Sequence, residues 1–391
     1  AAALTSEHEA APEGFHGALI QVKDTKLALQ TIGRCLRARL SIPLVGITGS
    51  VGKTTTREMV AAALSAKYKT FKTPANHNSQ IGVPLTISEI SENDEIGVLE
   101  LGMSEPGEMA VIAEIAAVDS AVMTNIGVTH IENLGSRENI LKEKLHIQDG
   151  MKAGGILFVN GDNDMLSTVH AKAGCHTVRY GLGADNDYRA EDLSYPDGFP
   201  SFTMVHGEVR VPVKLTVMGE HNVMNALAAL AVADAYGVPL ADAAEKLLEF
   251  GGFKNRQQIY HKNGYTIVDD TYNANPLSMA RMLDAAAESA QKRPFVVVLG
   301  EMRELGSVAD REHERLGRHL AQLRPVLVFW RGGHADAVRD GLEHGLYTGK
   351  FLPVDSGEAF VQALNEHLPA ETGEQGGLML FKGSRGNHLE E

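Results

Sequence analysis

Cysteine is nearly missing from this chain. Cys35 and Cys175 are the only two among 391 residues, far apart and without metal-ligand spacing. They exclude a disulfide framework and a thiolate metal site, and they suit a reducing compartment, so a cytoplasmic location is expected. No apolar stretch approaches the ~18 residues that cross a bilayer, and membrane insertion is not expected. The opening AAALTSEHEAAPEGFHG lacks the basic head and apolar core of a signal peptide. With no initiating Met, position 1 is read as interior to a longer chain, and a few residues are expected beyond Glu391. Runs of Lys or Arg are absent as well, and the formal net charge is −14. An acidic body argues against nucleic acid and anionic membranes as partners. It still admits an anionic small substrate, because local basic groups and helix ends hold phosphates in acidic proteins.

The remainder is ordinary globular composition, with 43% hydrophobic and 22% charged residues. Residues 1–42 hold a strand candidate at Ala18 to Val22 and a helix from about Thr25 to Leu40, too little for a core of its own. From 43 to 252 strands alternate with helices, which implies parallel βαβ units. The strands are Leu44 to Ile47, Ile96 to Leu101 and Ala121 to Ile126. Val209, Val211, Val213, Leu215 and Val217 alternate strictly, predicting a small antiparallel addition with one buried face. A helix from Val223 to Tyr236 is stopped by Gly237 and Pro239. From 253 to 391 the alternation restarts, with strands at Tyr265 to Val268, Phe295 to Leu299, Val326 to Phe329, Leu352 to Val354 and Leu378 to Phe381. The expected fold is α/β: a central P-loop parallel-sheet ATPase domain with a small β addition, then a Rossmann-like C-terminal domain. That second domain carries no GxGxxG.

One segment carries chemistry by itself. Between a strand and a helix runs Gly46 to Thr56, GITGSVGKTTT. Glycines let successive N–H groups and the helix start converge on phosphate oxygens. Gly49, Ser50, Val51, Gly52, Lys53, Thr54 and Thr55 are therefore candidate ATP ligands, with Lys53 on the β- and γ-phosphates and the Thr54 hydroxyl on Mg²⁺. The strict motif fails by one position, since Ile47 stands where its first glycine belongs. Glu100 ends an apolar strand, where a carboxylate can hold Mg²⁺ directly or through water. His130 reads equally as a ligand or as a hydrogen-bonded structural histidine, and Lys144 as one more exposed helical lysine. DDTYNANP, from Asp269 to Pro276, is either a functional βα loop or turn chemistry. Arg256 and the segment Lys382 to Arg385 are equally ambiguous.

Taken in order, these segments resemble the Mur ligase family. The resemblance rests on GITGSVGKTTTREM, TPANHNSQIGVPLT, LELGMSEPGEM, TNIGVTHIENLGSRENILKEKLHI, GEHNVMNALAALA, DDTYNANPLSM, VLGEMRELG and KGSR, and covers nearly the whole chain. It implies an ATP-dependent carbon–nitrogen ligase of peptidoglycan precursor synthesis, acting as a monomer. The versions IGVPLT, YNANPLSM and GEMRELG resemble the member whose substrates are UDP-N-acetylmuramoyl-tripeptide and D-alanyl-D-alanine. By the same resemblance Lys53, Glu100, His130 and Lys144 are catalytic, and Thr54, Glu100 and His130 form the Mg²⁺ site. Lys144 matches a lysine carboxylated in several members. Asn222, Arg256, Asp270, Asn273 and Asn275 match positions that meet ATP or place the last domain, and Asn76 and Asn78 a substrate-side loop. Three departures stand out: Val51 for a small polar residue, Ala75 and Ser79 for the usual Gly and Asn, and an N-terminal domain represented only by residues 1–42. The rival readings are a ligase adding one amino acid, a folylpolyglutamate synthetase type, or a nucleotide-binding protein without ligase chemistry.

Overall fold

The computed structural model describes residues 2–389 apart from 9, 11, 12, 253, 254 and 368–375. The expected start of the last region at 253, and the positions at the two chain ends, lie outside the described residues. The first region pairs β1 (Ala2–Thr5) in parallel with β2 (Ala18–Gln21), and β1 is a strand that the sequence pattern had not suggested. The chain then enters α1 (Thr25–Arg39). Asp24 caps α1 by accepting the Leu27 N–H at 2.9 Å. Arg37 anchors the helix to the central body, donating to the carbonyls of Ala116 and Ala117 and pairing with Asp119 at 2.9 Å.

That central body runs β3 (Leu44–Thr48), α2 (Lys53–Leu64), β4 (Thr70–Lys72), α3 (Gly82–Glu89), β5 (Ile96–Glu100), α4 (Glu108–Ala116), β6 (Ser120–Met123), α5 (Ile131–Leu134) and α6 (Arg137–Leu145). It continues through β7 (Ile156–Asn160), β8 (His176–Gly181), β9 (Tyr188–Ser194), β10 (Ser201–His206), β11 (Val209–Lys214), α7 (Glu220–Ala235) and α8 (Leu240–Leu248). These strands form one sheet of nine, ordered β11-β10-β9-β8-β7-β6-β3-β5-β4. β3, β5 and β6 are buried along their whole length, as expected of strands covered on both faces. The antiparallel addition is β9-β10-β11, continuous with the parallel part. β11 stops at Lys214 because its partner β10 begins at Ser201, opposite it; Leu215 and Val217 stay buried beyond the ladder. α7 is buried on every side from Asn222 to Ala233 and lies against α2, and its alanines permit the close approach.

The C-terminal body contains β12 (Gln258–Lys262), β13 (Tyr265–Asp270), α9 (Pro276–Ala290), β14 (Phe295–Gly300), α10 (Ala309–Leu323), β15 (Leu327–Arg331), α11 (Ala335–His344), β16 (Lys350–Pro353), α12 (Gly357–His367) and β17 (Leu378–Lys382). Its sheet is ordered β12-β13-β17-β14-β15-β16, parallel except for β12, which the sequence pattern had not suggested either. In both sheets the loops at the carboxyl ends of the strands face a shared cleft, where open α/β sheets place ligands. Among the described residues no helix is long and apolar enough to cross a membrane.

Candidate active site

The phosphate loop leaves β3 and enters α2 with Gly49 at φ +150° and Gly52 at φ +85°. A Cβ on Gly49 would sit 1.9 Å from Thr124 Oγ1, so only glycine fits there. The loop is held from the end of β6. Ser50 N–H donates to the Asn125 carbonyl at 3.0 Å, and Val51 N–H to Asn125 Oδ1 at 3.0 Å. The Val51 carbonyl accepts from Thr124 Oγ1 at 2.5 Å and from Asn125 Nδ2 at 3.0 Å. Val51 thus serves the loop through its backbone, which explains how an apolar residue is accommodated. β6 ends at Met123, short of the expected Ile126, because Thr124 and Asn125 turn to make these bonds.

Lys53 Nζ donates to the Gly49 carbonyl at 2.9 Å and lines the cleft with Thr54 and Thr55. Enclosure by the protein holds its pKa below the usual lysine range, Arg256 adds to this, and Glu100 opposes it. At the end of β5 Glu100 is only 3% exposed. Its Oε1 accepts from Asn78 Nδ2 at 2.8 Å and its Oε2 from Arg57 Nη1 at 3.2 Å. Arg57 also donates to the Ala75 carbonyl at 2.8 Å, which ties the loop of Asn76 and Asn78 to α2. Sequence reasoning missed Arg57; the signal was a charged residue one helical turn beyond Thr54, on a face that buries Thr54, Ala61 and Leu64.

His130 adopts φ +62° at the start of α5, with Nδ1 3.0 Å from Glu304 of the C-terminal body. Burial first, then Lys53 and Lys144, lower its pKa to about 4, so it is a neutral imidazole at pH 7. Lys144 overturns its reading as an exposed lysine: it is 1% exposed. Burial, and then the charge of Lys53, drive its pKa well below the ordinary value, with Glu143 opposing. It lies outside the cleft lining, as does Gly49.

From the other side come Arg256, Asp270, Asn273 and Asn275, all lining the same cleft of about 400 Å³. The Arg256 guanidinium stands 4.0 Å from the centroid of the Tyr272 ring. Asp270 is held by buried Lys382, whose Nζ is 2.5 Å from Oδ2 and 3.0 Å from the Asn273 carbonyl. Asn275 caps α9 in a reciprocal pair with Ser278, so its side-chain oxygen is occupied by the helix. Asn222 is buried in a network with Met218, Gln257 and Asn225. A second opening of about 840 Å³ joins Thr54, Arg57, Asn76 and His130 to Arg256, Arg303 and Arg385.

Residues 47–233 match the Mur ligase middle domain, and residues 255–385 the Mur ligase, glutamate ligase domain. The UDP-N-acetylmuramoyl-tripeptide--D-alanyl-D-alanine ligase of Bacillus subtilis is 37% identical over 380 residues, 96% of this chain and 80% of that protein.

The chain belongs to the Mur ligase family.

Solved structures agree. MurF from Acinetobacter baumannii superposes on this Mur ligase with a TM-score of 0.86 at 32% identity, over 97% of this chain and 82% of that one. The Thermotoga maritima MurF ligase, solved in complex with ADP, gives 0.85 at 28% identity, over 99% and 86%. The phosphate loop, Glu100, His130 and the Asp270–Asn275 loop all lie inside the matched regions.

Proposed function

We propose that this Mur ligase joins D-alanyl-D-alanine to the terminal carboxylate of UDP-N-acetylmuramoyl-tripeptide at the expense of ATP. One observation carries the reading. A phosphate loop at the carboxyl end of one parallel sheet faces, across a single cleft, the charged and amide groups at the carboxyl end of another. The three regions, 1–42, 43–252 and 253–391, then serve as part of a UDP-substrate domain with its linker helix, the ATP-binding domain and the domain that completes the site.

Transfer of the γ-phosphoryl group to the carboxylate oxygen gives an acyl phosphate and ADP. The amine attacks the acyl carbon, phosphate leaves, and the amine's proton passes to solvent. Both reactants are anionic, so Lys53 and the backbone amides at the start of α2 stabilise charge that moves from the phosphoanhydride to the acyl phosphate. Holding acyl donor and amine between two bodies supplies proximity, and closure keeps water from the acyl phosphate.

The donor chemistry suits Mg²⁺. Among the described residues no three His, Cys, Asp or Glu side chains cluster, so there is no all-protein cage. Mg²⁺ is ordinarily held by one or two protein oxygens together with phosphates and water, and Thr54, buried Glu100 and neutral His130 would provide the protein share. Bound there, the ion would neutralise the phosphoryl oxygens.

The test is ADP formation with UDP-N-acetylmuramoyl-tripeptide, with and without D-alanyl-D-alanine. Dependence on both is expected, and indifference to both rejects the reading. Lys53→Ala is expected to abolish ligation, by at least about 100-fold, with an unchanged circular dichroism spectrum.

A further inference from the structure

After β14 the chain runs through Glu301–Leu305 along the rim of the cleft, across from Thr54 and His130. Several contacts anchor this loop, among them Gly333 N–H donating to Glu301 Oε2 at 2.8 Å and Glu301 N–H donating to the Arg331 carbonyl at 3.2 Å. Glu304 approaches His130 at 3.0 Å, Arg303 N–H donates to Ser384 Oγ at 3.0 Å, and the Glu301 carbonyl accepts from Asn387 Nδ2 at 2.9 Å.

Behind the loop, on α10, lies His313, fully buried and used by no step of the reaction. Its Nε2 accepts the Met302 N–H at 3.0 Å, and its Nδ1 is 2.8 Å from the Ala309 carbonyl. An amide N–H only donates and a carbonyl only accepts, so the ring carries its proton on Nδ1 and a lone pair on Nε2. The ring stacks on His334 with centroids 4.5 Å apart and meets the edge of Trp330 at 5.6 Å. Burial keeps the imidazole neutral by lowering its pKa, with His334 adding to this against the Ala309 contact.

We infer that His313 is a positioning residue: by holding the Met302 amide it fixes the Glu301–Leu305 loop against the central body, so that the two halves of the site meet in register. This rests on the ligase reading above. The phosphate loop is built entirely within the central body, so a displaced rim slows transfer without weakening ATP binding.

Two substitutions separate this role from packing. His313→Gln places a side-chain oxygen near the Nε2 position and keeps an acceptor for Met302. His313→Asn reaches only the Ala309 carbonyl. The readouts are kcat for acceptor-dependent ADP release, KM for ATP, and hydrogen exchange of the Met302 amide, with melting curves for both proteins. In the Asn variant kcat is expected to fall ~10- to 100-fold, as for an ångström-scale misplacement. Its KM for ATP stays within about twofold, and the Met302 amide exchanges faster. The Gln variant recovers most of both losses. Where the Asn variant does not fold, His313→Ser, which also lacks the reach, takes its place. Equal impairment of the Gln and Asn variants, or unchanged Met302 exchange in the Asn variant, overturns the inference. A parent protein without acceptor-dependent ADP release overturns the ligase reading and the role in transfer with it. That failure is told apart from a failure of the positioning itself by a Met302 exchange difference that persists.

Discussion

Arg57 Nη1 lies 3.2 Å from Glu100 Oε2, with both side chains no more than 4% exposed. The pair joins α2 to the end of β5 beneath the phosphate loop, and the same guanidinium reaches Glu58 and the Ala75 carbonyl. It therefore sets where a carboxylate expected to serve Mg²⁺ points, and it fastens the loop of Asn76 and Asn78.

Removing the arginine leaves Glu100 buried without its charged partner. Breaking a buried pair from one side costs about 3–5 kcal/mol. Arg57→Ala is expected to lower the urea midpoint of the central body and to raise the Mg²⁺ concentration needed for half-maximal turnover. A variant with parental stability and Mg²⁺ dependence refutes the assignment.

Within the phosphate loop, substitutions at Val51 and Gly49 differ in kind. Val51 supplies backbone bonds, so Val51→Ala is expected to leave the KM for ATP within about twofold, since the N–H and carbonyl contacts persist. A Cβ at Gly49 would collide with Thr124 Oγ1 at 1.9 Å, on the side chain that clamps the loop. Gly49→Ala is expected to lose ATP binding, read by ADP titration in a calorimeter. Equal affinities for the two variants would remove the clamp from the account.

Lys144 carries a buried side-chain amine, 1% exposed, whose nearest opposing charge is the neighbouring Glu143. Its folded pKa lies below its unfolded value of 10.5, so the unfolded state binds more protons and stability rises with pH across that interval. Lys144→Met is expected to raise the melting temperature at neutral pH and to flatten its rise toward pH 10, while ligation falls. The lowered pKa also supplies the neutral amine that carboxylation by CO₂ requires. Depleting CO₂ is then expected to reduce turnover and bicarbonate to restore it, in the parent but not in the Met variant.

Much of the fold was legible because its signals are local. Apolar strands that end in glycine or polar loops marked β3, β5, β14 and β17 to within a residue or two, and the glycine-lysine-threonine run marked the ATP loop. What stayed hidden depends on contacts distant in sequence. Lys144 sits on a helix whose pattern reads KEKL, and only the packing of α6 buries it. Arg57 and Glu100 are 43 residues apart, and Lys382 and Asp270 112 apart, and no spacing rule links either pair. Asn275 shows the converse. The motif matches it to positions that meet ATP or place the last domain; it lines the cleft, and the cap that its oxygen gives α9 is a second role the motif did not announce.

His221 gives the pH dependence with a definite sign. Burial, then Arg281 and Lys382, lower its pKa from 6.5 to about 3. The folded state therefore holds it neutral where the unfolded state binds a proton. Stability from this group is intact above pH 6.5 and is lost as pH falls toward 3. At pH 5 the loss amounts to about 2 kcal/mol, from about 1.4 kcal/mol per pH unit below the unfolded pKa. Gln257 Nε2 lies 2.6 Å from His221 Nε2, so a neutral amide there keeps a hydrogen-bonding partner. His221→Gln is expected to cost little at pH 7 and to remove about that 2 kcal/mol from the difference between pH 7 and pH 5 in urea unfolding. An undiminished difference would mean that other groups, His130 among them, carry the acid sensitivity of the cleft.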